Sequence, residues 1–278
     1  MKGAYFMPAG FAHTLFGIRV FQTLPDPLKE SIRRHRDLYL AGLQGPDILF
    51  YYHPLKANAV SRLGKAMHEK SGKRWFSDAC QMEEGEDYEA RRVYLYGVVC
   101  HFTLDAMCHD YIDSYAETSS ISHYEIEGEF DRSLLVKEKK DPLSYSRIPG
   151  FPSDAYTSEI IRVFYPGLSA ETVREALESF VKFHQLLLCP TDYKRNFIYS
   201  ALRVLGKYQT LKGHIINKKA NLSCASSNQE LTRRFEEAIP KAASLILGFS
   251  KVLSKEESLE DWAKDPLFEK NFVGRSFI

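Results

Sequence analysis

An all-α fold is predicted from three observations. Apolar residues recur with helical period along most of the chain, strict apolar–polar alternation is absent, and Ser, Asp and Pro residues fall where helix starts belong. The first periodic stretch is 10–23, with Phe11, Leu15, Ile18 and Phe21 on one face. Pro25 and Pro27 punctuate, Asp26 is a candidate cap, and a helix is expected over 27–41 until Gly42, Gly45 and Pro46 break it. A short apolar run, 48–52, ends at His53-Pro54. Helices are then expected over 55–76, 88–116 and 123–136, with an acidic loop at 77–88. Ser122 and Glu125 have capping-box spacing at the start of the 123–136 helix. Residues 137–153 change to charged, Ser- and Pro-rich sequence and read as a long surface loop. Further helices are expected over 152–164, 169–188, 191–206, 228–251 and 255–263. The chain is read as one multi-helix domain over 1–278, with a motif-bearing half at 7–136 and a helical C-terminal half at 152–263.

Composition narrows the function. With 37 Lys plus Arg against 36 Asp plus Glu, the net charge of +1 gives no global bias toward nucleic acid or anionic membrane. No run approaches the length of a transmembrane helix, and stable membrane insertion is not expected. Met1 to Gly10 has no apolar region of signal-peptide length, and the five cysteines (Cys80, Cys100, Cys108, Cys189 and Cys224) show no CxxC spacing. Free thiols and a cytoplasmic location are expected. The 18 Phe and 16 Tyr are assigned mainly to the core.

The chemistry concentrates between His101 and Glu127. His101, Asp105 and His109 follow one another at intervals of four, and His123 and Glu127 repeat that interval. On a helix such residues stack on one face, so imidazole nitrogens and carboxylate oxygens converge on a common point. Burying Asp105 among apolar neighbours without a partner would cost several kcal/mol, and a divalent cation removes that cost. His13 and His68, in the same half, and Asp47, which follows Gly-Pro, are added as candidate ligands; Asp47 could equally serve as a helix cap. His35, His53, His184 and His214 lack an acidic or His partner at metal spacing and are assigned structural or surface roles. A metal-dependent hydrolase is the reading these residues support.

At these residues the chain resembles the zinc-dependent phospholipase C family, which shares its fold with the S1/P1-type nucleases. The resemblance implies two or three Zn²⁺ ions between helices. It implies Asp47, His68, His101 and Asp105 around the first ion and His109, His123 and Glu127 around the second. His13 and Asp105 would hold the third, together with the chain's own terminal residue. The interval between Asp105 and His109 is shorter than the family's, so the helix is expected to run straight through both. A start at Met7 would expose Pro8 as that terminal residue. The implied reaction is hydrolysis of a phosphodiester, either a phospholipid headgroup or a nucleotide, by a metal-activated bridging water whose proton Asp47 accepts. Glu125 and Asp110 are candidates for orienting the imidazoles. Alternative readings are an S1/P1-type nuclease, an HD-type phosphohydrolase using His68, His109 and Asp110, and a non-catalytic zinc-binding relative.

Overall fold

The computed structural model describes residues 10–81 and 85–276. It is all-helical. In chain order the helices are α1 (Gly10–Thr23), α2 (Asp26–Arg34), α3 (Arg36–Gly42), α4 (Ala59–Glu69), α5 (Gly72–Ala79), α6 (Tyr88–Ser119) and α7 (His123–Lys137). They continue with α8 (Ala155–Ile161), α9 (Ala170–Leu187), α10 (Asp192–Val204), α11 (Tyr208–Leu211), α12 (Ala225–Leu253) and α13 (Leu259–Trp262). Two isolated bridges are the only β pairing among the described residues.

The axis of the fold is α6. Every residue from Val93 to Ala106 is buried, so this helix is enclosed on all sides. It packs against α3 and α12 along most of its length, and α1 and α7 complete the surround. The contact with α3 depends on two glycines. A Cβ on Gly42 would lie 2.2 Å from the Tyr94 carbonyl oxygen, and one on Gly97 would lie 2.4 Å from that of Tyr39. The two backbones therefore touch, and only hydrogen fits between them. Elsewhere the aromatic residues form the core as expected. Phe76 meets Phe102, Phe249, Trp262 and Phe268 edge-on, at centroid distances of 5.3 to 5.7 Å.

Two expected helices are each divided. The 27–41 stretch breaks at His35, whose φ of −118° and ψ of 39° are not helical. The break lets α3 bury everything from Leu38 to Gly42 while α2 buries only Ile32. The 55–76 stretch starts later, at an Asn58–Ser61 capping box, and breaks at Lys70, which is extended. Ser71 then caps α5 by accepting from the Arg74 amide and pairs with Asn271 from the far end of the chain. In both cases packing against a distant element overrides a continuous helical pattern. The run 48–52 lies in a 3₁₀ segment, Gly45–Tyr51, whose residues are all buried. At α7, Ser122 accepts from the Glu125 amide as a cap, but the Glu125 carboxylate takes Asn221 instead of closing the box. All five cysteines are free.

A methyl group at the α3–α6 crossing has nowhere to go. Gly97→Ala is expected to lower the unfolding free energy by about 2–3 kcal/mol despite its better helix propensity, as measured by urea titration.

Candidate metal centre

The His101, Asp105, His109 stripe lies on an unbroken α6, so all three side chains face one way. His13 comes from α1, Asp47 from the 3₁₀ segment, His68 from α4, and His123 and Glu127 from α7. The structure thus brings all eight candidate residues into one region. They form three groups: His13, Asp47 and His101; His68, His101 and Asp105, which shares His101 with the first; and His109, His123 and Glu127, which shares no residue with either. Within each group the potential ligand atoms lie within 4.8 Å of one another. His13 falls in with Asp47 and His101, so the division into first and third ions that the resemblance implies is blurred. Pro8 lies outside the described residues.

Asp105 is the junction. Its Oδ1 is 3.2 Å from His13 Nε2 and 3.4 Å from His109 Nε2, and its Oδ2 is 3.3 Å from His101 Nε2. Glu127 Oε1 is 3.5 Å from His109 Nε2 and 3.3 Å from His123 Nε2. These separations are long for charge-assisted hydrogen bonds. They match the roughly 3.4 Å edge between two ligands each about 2.1 Å from a tetrahedral ion. Asp105 Oδ2, His101 Nε2 and Glu127 Oε2 are buried and make no hydrogen bond among the described residues. A divalent cation fits the donor set of each group: one beside His101 and Asp105 and another beside Glu127 would satisfy those atoms.

Protonation tells the same story. Burial lowers the pKa of His101 and His109 well below the ordinary value, reinforced for His101 by neighbouring imidazoles and for His109 by His123. His68 is raised because its bond to Asp47 outweighs burial, and His13 because Asp105 does. Burial lowers His123 too, but Glu127 and Asp113 together push it up to about 10. Burial pushes Asp105 up to about 6 against the pull of His13. The raised proton affinity thus falls on His13, His68 and His123, each through a carboxylate it faces. A cation bound there would compete with protons for the same atoms.

Two of the imidazoles are aimed by a hydrogen bond from behind. His68 Nδ1 donates to the Gly64 carbonyl at 2.7 Å, which turns Nε2 toward Asp47 Oδ1 at 2.8 Å. His123 Nδ1 donates to Asp113 Oδ1 at 2.8 Å, leaving Nε2 toward Glu127. Asp113 is the orienting carboxylate that sequence reasoning missed. It continues the interval-of-four stripe one step beyond His109, which was the available signal. Glu125 binds Asn221 and Asp110 binds Arg234, so neither orients an imidazole.

Asp47 and His101 share a turn at Gly45. Its φ is +49°, and a Cβ there would lie 2.6 Å from His101 Cδ2, so the backbone runs directly against the ring. The Tyr165 hydroxyl donates to the Gly45 carbonyl at 3.0 Å and itself pairs with Tyr94 of α6. His13 is set by Asp131, one turn after Glu127 on α7. Asp131 accepts from the Ala12 amide at 2.8 Å and the Phe11 amide at 3.3 Å, and so caps α1. Of the histidines set aside earlier, His184 and His214 are buried, while His53 is exposed on the surface.

Eight converging imidazole and carboxylate residues on a helical scaffold form groups that could hold metal ions. A sequence model of the zinc dependent phospholipase C family matches residues 12–173, which span every one of the eight. The chain belongs to this family and is, at that level, a zinc-dependent, phospholipase C-like hydrolase. No curated protein and no solved structure matches it. No helix among the described residues is long and apolar enough to cross a membrane.

The α1 cap has a pH signature. Burial, the largest influence, pushes Asp131 up to about 6 against Arg147 and the two amides. The folded state thus holds a proton that the unfolded chain has released. The associated stability is fully present below the unfolded pKa and is lost as pH rises through about 6. Asp131→Asn should flatten the fall in unfolding free energy between pH 4 and pH 7 by on the order of 2–3 kcal/mol, measured on metal-free protein.

Proposed function

We propose that the chain hydrolyses phosphodiesters of the phospholipid-headgroup type at a centre of two or three zinc ions. The observation that carries this reading is the position of Asp105, buried and 3.2 to 3.4 Å from three imidazoles of two helices. Bridging oxygens on a buried carboxylate are what multi-ion sites use to hold cations a few ångströms apart. His13, Asp47, His68, His101, Asp105, His109, His123 and Glu127 would hold the ions. Bound zinc would supply positive charge to the phosphate and lower the pKa of an attacking water.

The chain's own residues do the rest. Asp47 accepts the proton as the water oxygen attacks phosphorus, and the P–O bond to the ester oxygen breaks; that proton is passed to the leaving oxygen, giving a phosphomonoester and an alcohol. His68, 2.8 Å from Asp47 Oδ1, steadies that carboxylate. Asp113 keeps His123 in one tautomer. The HD-type alternative needs Asp110 beside His109 as a ligand, whereas Asp110 is engaged with Arg234. Residues 1–278 are read as one unit, because α12 packs on both α1 and α6. The free thiols suit a reducing, cytoplasmic setting.

Metal analysis tests this directly. Wild-type protein should hold two or three zinc ions and cleave a phosphocholine diester, losing both with chelator. Asp105→Ala should lose most of its zinc and all turnover, while the control His35→Ala, at a half-buried position outside the three groups, keeps both. Full zinc content in Asp105→Ala would refute the assignment.

Asp113→Ala should bind the ion at His109, His123 and Glu127 about 10–100-fold more weakly, as read by competition with a chromogenic chelator, without losing the others.

A further inference from the structure

The cluster is nearly sealed. His13, Asp47, His68, His101, Asp105, His109 and Glu127 are each 4% exposed or less, and among the eight only the His123 side chain, 24% exposed, reaches the surface. A cavity that reaches His68 holds about 50 Å³, far below the roughly 300 Å³ at which small-molecule pockets begin. Phe50, Lys65 and Glu69 line one side of it, and Asn271, Val273 and Arg275 the other. Phe272 between them is fully buried, its ring 5.5 Å from that of His68 and 5.7 Å from that of His101.

We propose that residues 271–275 form a strap that closes the metal centre and swings away to admit substrate and ions. The inference rests on the zinc-hydrolase reading above. The segment is built to move as a unit. Asn271 N–H donates to the Arg275 carbonyl at 3.0 Å, and Asn271 Oδ1 accepts from the amides of Val273 and Arg275. The turn thus satisfies its own backbone groups, and lifting it strands few of them. Lys270 is the hinge, fixed through its carbonyl to the Gly72 amide at 2.8 Å and through Nζ to the Ala106 carbonyl at 3.2 Å. Beyond the hinge the strap is held by the pairing of Asn271 with Ser71, by the burial of Phe272, by the close approach of Gly274 to Asp110 and by Arg275 Nη2, 3.4 Å from Asp113 Oδ2. That latch is exposed, so it is weak. Asp113 is also the carboxylate that aims His123, so the latch closes on the support of a metal-binding group.

A reversible lock tests the strap. A Cβ on Gly274, whose φ is +71°, would lie 3.4 Å from Asp110 Cβ but only 3.0 Å from its amide nitrogen. A disulfide there is close enough to form yet strained, and the reduced double variant is the reference for the oxidised one. Zinc transfer to a chromogenic chelator and hydrolysis of bis(p-nitrophenyl) phosphate are measured on G274C/D110C, oxidised and then reduced. Oxidation should slow both by about tenfold or more, because it removes the open state, and reduction should restore them. Arg275→Ala in the otherwise native chain should release zinc up to about fivefold faster than wild type. Equal release rates in both redox forms, with Arg275→Ala matching wild type, overturn the strap alone. A wild-type chain without zinc overturns the metal-centre reading and the strap with it.

Discussion

A buried carboxylate shared by three imidazoles is the constraint on which the rest of this molecule depends. Asp105 is 1% exposed and sits at the middle of a helix enclosed on every side. Such a charge is tolerable only where cationic or metal partners surround it. His13 must arrive from α1, and His101 and His109 must flank it on α6. The straightness of α6, the close crossing of α3 and the capping of α1 by Asp131 all serve that convergence. The apolar enclosure that raises the cost of the charge also excludes water and strengthens whatever the charge binds.

Around that junction lies a second layer that sets direction. Gly64 turns His68, Asp113 turns His123, and Tyr165 pins the Gly45 turn that presents Asp47. Much of this layer comes from the C-terminal half. Asn217 and Asn221 hold Glu129 on α7, Arg234 of α12 holds Asp110 away from the cluster, and Phe272 covers His68 and His101. The half without ligands therefore decides how rigid and how accessible the half with ligands is. The turn at 271–275 bonds largely to itself, so its backbone depends less on neighbouring elements than that of the helices around it.

The ligand stripe was legible in the chain because an interval of four residues is a local property of a helix. Once 88–116 is helical, His101, Asp105 and His109 must share a face whatever surrounds them. The same holds for His123 and Glu127, and the short interval between Asp105 and His109 did require a continuous helix. Asp113 was equally available to that logic and was passed over, because a lone Asp further along the stripe has no imidazole beside it in sequence. Helix existence was readable from periodicity. The breaks at His35 and Lys70 were not, since they answer to α6 and to Asn271, partners far away in the chain.

The sequence by itself thus determined the fold class and which imidazoles and carboxylates share a helix face, because both follow from helical spacing, while the family followed from resemblance and is matched over residues 12–173. Only the tertiary structure decided how those residues group, with His13 beside Asp47 and His101 and with Asp105 facing three imidazoles. It alone decided that Asp110 and Glu125 face other partners and that Phe272 closes the centre. The reason is one of range. Spacing within a helix is set by its own backbone geometry, whereas the meeting of α1, α4, α6, α7 and residues 271–275 is set by packing between elements up to the length of the chain apart.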